Sequence, residues 1–222
     1  MLVIYIFIIL CLVILITFTI QVITNIYNVN KTNTSYLPSK ILLLSTLVSL
    51  ILLALLSKEL NTKYLILNSI YITFLILIAN IDANSKIIPN KIVIIGTILS
   101  ILIFTFNTDS IQANSKDLIL ESLIGLAIGF IIMLFFYLLP FTRIGAGDVK
   151  LSALIGAISG FPKIFFALSS GIIFAGVISI LLVLSKRKSI NENIAFGPYL
   201  SAGTIFIIVL ADNLSSIIPR LY

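Results

Sequence analysis

The stretch YLILNSIYITFLILIANIDANSKIIPN, Tyr64–Asn90, decides how this chain folds. It is apolar from Tyr64 to Ile81 and then stops on a carboxylate, Asp82. A helix needs roughly 20 apolar residues to cross a bilayer, with about 17–25 usual, and this run reaches that range. Pro89 follows a few residues later. It prevents the segment from continuing as helix and drives Ile88 towards extended backbone. The reading is a spanning helix that ends at an interface, on an acid, before a tight polar loop.

The same pattern recurs along the chain. Of its 222 residues, 60% are hydrophobic and only 10% are charged. That composition belongs to a polytopic membrane protein rather than a soluble domain. Eight apolar runs stand out: Leu2–Thr24, Ile41–Ser57, Tyr64–Ile81, Ile92–Phe106, Leu118–Leu139, Val149–Phe161, Ile164–Leu184 and Tyr199–Ala211. The expected fold is all-α, an integral membrane bundle of about eight transmembrane helices. It forms one embedded domain over 1–222, with N-terminal spans in 1–63 and a core in 64–211. The first run has neither a basic leader nor a small-residue cleavage site, so it reads as a retained anchor. The sixth is interrupted by Gly160-Phe161-Pro162 and is either a half-span or a short crossing.

Basic residues choose between those two. With the Asp82 and Asp148 loops in the cytoplasm, that side holds Lys31, Lys40, Lys86, Lys91, Arg143, Lys150, Lys186, Arg187 and Lys188. The outside holds Lys58, Lys63, Lys116, Lys163 and Arg220. The excess follows the positive-inside rule. A sixth run that failed to cross would move the Lys186–Lys188 triplet outside and erase the bias, so a crossing is favoured. Asp82 and Asp148 then emerge on one face.

Composition also removes chemistries. There is no histidine, and Cys11 is the only cysteine. Ser-His-Asp and Cys-His nucleophile systems are therefore excluded, as is a Cys/His zinc site. No cofactor and no metal are expected. The net charge of +6 is scattered between apolar runs, which fits membrane orientation and not nucleic-acid binding. Carboxylates remain for acid–base work.

Two of these are costly where they stand, and an ionisable group in or beside a bilayer is a functional candidate by default. Asp82 lies at a helix C-terminus, where the helix dipole opposes negative charge and favours a protonated carboxyl. The plainer reading is a solvated loop acid with Lys86 as counter-ion. Asp148 closes Gly145-Ala146-Gly147-Asp148 and precedes Val149-Lys150-Leu151. Gly145 and Gly147 allow a sharp turn or a close backbone approach. The plainer reading makes Asp148 a helix N-cap. Lys150 either lowers the pKa of a carboxyl or extends to the headgroups. A third cluster, Phe196-Gly197-Pro198-Tyr199-Leu200, opens the last run. It is either a plain helix start, with proline in the first turn, or the wall of a peptide groove beside the acids.

Together these residues resemble the prepilin peptidases, the type IV leader peptidase family of membrane aspartic proteases. The resemblance rests on Asp82 with Ile88-Pro89-Asn90, on the Gly-x-Gly-Asp-x-Lys-Leu match at Gly145–Leu151, and on Phe196-Gly197-Pro198. It covers Tyr64 to about Leu210. It implies that Asp82 and Asp148 are the catalytic pair on the cytoplasmic side of a bacterial inner membrane. It also implies that Gly145, Gly147, Lys150, Pro89, Phe196, Gly197 and Pro198 support them or bind substrate. The implied substrates are prepilin or pseudopilin precursors, cut after a glycine just before an apolar helix. Partners are those peptides and the lipid bilayer. Many members also N-methylate the new terminus and carry Cys-x-x-Cys motifs in a larger cytoplasmic domain. The Asn25–Lys40 loop is short and has no cysteine, which implies a peptidase-only or reduced member. A rival reading is a small proton- or cation-coupled transporter with the two aspartates as ligands. A non-catalytic assembly scaffold is a second rival.

Overall fold

In the computed structural model, residues 62–106, 115–140, 142, 144–186 and 194–214 are described. They form six helices: α1 (Thr62–Ser85), α2 (Asn90–Phe106), α3 (Ser115–Leu138), α4 (Ala146–Ser159), α5 (Lys163–Leu184) and α6 (Gly197–Leu214). The described part is all-helical, as expected. The runs Leu2–Thr24 and Ile41–Ser57, and the Asn25–Lys40 loop, lie outside the described residues.

Among the described residues, two helices are long and apolar enough to cross a membrane, over Asp117–Leu138 and Lys163–Leu184. Ile70–Ala83, Asn90–Ile103 and Gly197–Leu210 are shorter apolar stretches. Helix α4 has 14 residues and, at about 1.5 Å per residue, is only about 21 Å long. It stops at Gly160, whose φ of 68° is left-handed backbone that suits glycine.

Helix α4 is the centre of the bundle. It packs most extensively on α3, then on α2, and also meets α5 and α6. Helix α6 lies against α5 and α1. The α3–α4 seam is close because its side chains are small. A Cβ on Gly125 would lie 2.9 Å from the Gly160 Cα, and one on Gly129 would lie 3.1 Å from the Ser152 carbonyl carbon. Small residues that let helix backbones touch are the usual device where no water drives the helices together. Two buried hydroxyls cross the same seam. Ser122 Oγ donates to the Ala157 carbonyl at 2.9 Å and Ser152 Oγ to the Gly129 carbonyl at 2.8 Å. Helices α1 and α2 are tied by Tyr71, whose hydroxyl donates to the Ser100 carbonyl at 3.1 Å.

The core holds Ile72, Leu75, Ile78, Met133, Leu151, Leu154, Ile155, Ile164 and Leu200. Large apolar side chains also cover the outside, among them Ile94, Ile98, Leu102, Ile131, Phe135, Ile173, Ile180 and Leu184. Asn80, Asp82, Ser100, Ser122, Asp148 and Ser152 are instead buried. A bundle that is apolar on the outside and keeps these few polar groups inside is suited to hydrocarbon surroundings.

Replacing Gly156 by Leu should separate α3 from α4, because its Cβ would already lie 2.8 Å from the Leu126 amide nitrogen. The expected loss is about 3 kcal/mol or more. Thermal unfolding of the detergent-solubilised protein measures it, and an unchanged midpoint counts against this seam.

Candidate active site

Three helix ends build the site. Asp82 stands in the last turn of α1, which closes with the Lys86 amide donating to the Asp82 carbonyl at 2.8 Å. Lys86 has a φ of 52° and turns the chain into the loop before α2. Ile88 and Pro89 are buried there, and Asn90 begins α2.

Asp148 is not the N-cap that its sequence suggested. The N-cap is Gly145, and α4 starts at Ala146. Asp148 sits one turn in, where its Oδ2 accepts the Gly145 amide at 3.0 Å, while its own amide donates to the Gly145 carbonyl at 3.0 Å. An acid at this third position satisfies a donor that the helix start leaves unpaired. The carboxylate is thereby held by local backbone and is drawn inward instead of facing solvent.

Helix α6 supplies the third part. Gly197 opens it, and its amide donates to Asp82 Oδ2 at 2.9 Å in a buried bond. The positive end of α6 therefore faces the acid that the C-terminus of α1 disfavours, and the two helix ends offset each other. A side chain is excluded at Gly197, where a Cβ would lie 2.7 Å from Asp82 Oδ2. Pro198 occupies the first turn, as its preference predicts. Phe196 is half-buried and packs on the core.

Both carboxylates lie beyond the apolar runs Tyr64–Ile81 and Val149–Phe161, and both are buried, at 5% and 8% exposure. Burial raises the pKa of Asp82, partly countered by the Gly197 amide. Burial likewise pushes Asp148 up to about 6; the Gly145 amide counters this, and the charge of Asp82 adds to it. The field of Asp82 thus reaches Asp148. A carboxyl held this way keeps one oxygen for an amide and offers the other to a proton or a water.

The remaining sequence candidates fall around the pair. Gly147 backs onto Ile88, whose Cβ would lie 3.1 Å from any Cβ placed there. Pro89 is buried in the same loop, and Gly145 caps α4. Lys150 is exposed and donates to Asn90 Oδ1 at 2.8 Å. Ile88 and Asn90 were visible in the Ile88-Pro89-Asn90 motif but carried no role of their own. Their contacts with α4 give them one. Among the described residues no group of three or more His, Cys, Asp or Glu is arranged to hold a metal.

Fold and site together define a helical protein built around two buried, interacting acids. Residues 69–180, half of the chain, match the type IV leader peptidase family, and the chain belongs to that family. It is 25% identical over 147 residues to a Bacillus subtilis (strain 168) protein named prepilin leader peptidase/N-methyltransferase, covering 66% of this chain and 56% of that one. A Pseudomonas putida protein of the same name is 26% identical over 141 residues, covering 63% of this chain and 48% of its own length. The chain spans about half the length of the curated relatives it matches. No solved structure matches it. The family match ends at residue 180, before the Leu210 suggested by the motifs, so Gly197 reaches Asp82 from beyond the matched segment. The transporter reading gains no support from these relatives.

Two outcomes follow from this geometry. Gly197→Ala should destabilise the protein by about 2 kcal/mol through the clash with Asp82, and Asp82→Ala in the same chain should recover more than half of it. Melting of the single and double variants tests the coupling. For Asp148, the folded pKa of about 6 lies above the ordinary 3.8, so the folded state favours the protonated acid. Its contribution to stability is full below pH 3.8 and is lost as pH rises through about 6. Asp148→Asn escapes that loss. It should melt higher than the parent at pH 8, by roughly 3 kcal/mol at most, with the difference gone below pH 4. Equal midpoints at pH 8 would contradict the buried charge.

Proposed function

We propose that this chain is a membrane aspartic endopeptidase that removes the short basic leader from prepilin-like precursors. The work is done at the cytoplasmic face, with Asp82 and Asp148 as the catalytic pair. The observation that carries the reading is the pair itself: two buried carboxyls, each held through Oδ2 by a glycine amide, with the charge of Asp82 acting on Asp148. Family membership supports the peptidase class, and the names of both relatives support the substrate class. The apolar exterior and the distribution of basic residues support an embedded bundle with this end inside.

Two carboxyls at short range do not both ionise easily, so they share one proton and titrate as a unit. The ionised member takes a proton from water, which attacks the scissile carbonyl. The protonated member donates to that carbonyl oxygen. The resulting diol collapses as the leaving amine receives a proton. The basic leader stays near anionic headgroups while the apolar helix of the precursor remains in the bilayer, so the cleaved bond falls at the interface. Gly145, Gly147, Pro89, Phe196, Gly197 and Pro198 shape the backbone around that bond. The N-methyltransferase half of the relatives' name is not part of this reading, since the Asn25–Lys40 loop carries no cysteine.

Asp82→Asn and Asp148→Asn should each lower leader removal by more than about 1000-fold while leaving the protein inserted. Cleavage of a synthetic precursor by each reconstituted variant measures this, and near-normal processing by either ends the proposal. The rate should also fall as pH rises from about 6 to 8, as the pair loses its shared proton. A rate that climbs steadily through that range contradicts a proton-sharing pair.

A further inference from the structure

We propose that Asn90 and Lys150 form a latch that fixes the spacing of Asp82 and Asp148, acting as positioning residues for the proposed peptidase and resting on that reading. Asp82 and Asp148 lie on different helices, 66 positions apart in sequence. Nothing covalent and nearby holds their separation. The link that does is the segment Lys86–Asn90, which leaves the last turn of α1 and enters α2. It touches the start of α4 twice. Buried Ile88 lies against Gly147, the residue before Asp148. Two residues past Ile88 and three past Gly147, Asn90 Oδ1 accepts a hydrogen bond from Lys150 Nζ at 2.8 Å.

The contacts differ in what they control. Ile88 on Gly147 is an apolar contact and limits how near the two segments approach. The Asn90–Lys150 bond is directional and has a cation as donor, so it resists sliding of α4 past the loop. Removing it lets the start of α4 drift from the end of α1, and the coupling of the two acids weakens with distance. Besides the two acids, the charged and titratable side chains on the described elements around α4 include Tyr71, Lys86, Lys91, Asp117, Glu121, Tyr137, Lys150, Lys163, Lys186 and Tyr199. Of the charges around Asp148, the one that raises it is Asp82.

The test is the pH dependence of cleavage by the full chain in lipid vesicles. The probe is a synthetic peptide with a lysine-rich leader, a glycine and an apolar helix. Asn90→Ala changes no charge. It should be about fivefold slower at pH 7, and its alkaline limb should move about half a pH unit lower, because an acid freed from its neighbour's charge loses its proton earlier. Asn90→Asp, which keeps an acceptor for Lys150, should hold that limb at or above the parent position. Lys150→Met separates two roles: a cation acting only through its charge moves the limb up when removed, whereas a latch moves it down. Should Asn90→Ala fail to insert, the Lys150→Met limb decides. An unmoved limb in Asn90→Ala, at any rate, or an upward limb in Lys150→Met, overturns the latch while inactive Asp→Asn variants leave the peptidase reading standing. Active Asp→Asn variants overturn that reading and the latch with it.

Discussion

The Gly197 amide donates to Asp82 across 115 positions of sequence, and the rest of the site is arranged around that bond. It joins the first and last described helices at the one place where a carboxylate is buried against both. Without it, Asp82 would face the negative end of its own helix in surroundings that already disfavour charge. With it, the acid has a fixed orientation and a donor that does not titrate in the range where carboxyls do. Asp148 is treated in the same way by Gly145, but locally, within one turn. The two acids are thus held by the same kind of contact, one supplied by tertiary packing and one by the start of a helix.

Close backbone packing makes this possible. Helix α4 reaches the middle of the bundle because α3 meets it through glycines and serines, which let the two axes approach. Larger residues along that seam would push α4 outward and take Asp148 away from Asp82. The site therefore depends on residues far from it, and the small side chains in the middle of α3 are part of how the acids come together.

Much of this was legible in the sequence, for identifiable reasons. Long apolar runs bounded by polar loops placed α1, α2, α3, α5 and α6 within a few residues, because hydrophobic length is a strong signal. The two acids were legible because a carboxylate at the edge of such a run is expensive, although a helix cap and a solvated loop acid offered plainer readings. The start of α4 was misread. Aspartate is a better N-cap than glycine by propensity, which favours Asp148 for that position. The backbone instead begins earlier and uses the acid from inside the first turn. The Gly197–Asp82 bond was not legible at all, since it depends on α6 lying against α1. Gly197 could be singled out only by its motif. The same holds for Asn90, whose partner Lys150 is brought to it by the packing of α2 on α4.

Helix α4 is the shortest of the six, and its shortness bears on the lipid. Hydrocarbon about 30 Å deep would overhang a 21 Å helix by about 9 Å. The longer α3 and α5 flank it and carry the full depth. Helix α4 is enclosed by α2, α3, α5 and α6, so this shortfall lies inside the bundle and lipid does not meet it directly. Membrane thickness would then act on α4 through α3, the helix it packs on most extensively, and bilayers of different chain length would load the element that carries Asp148 unequally.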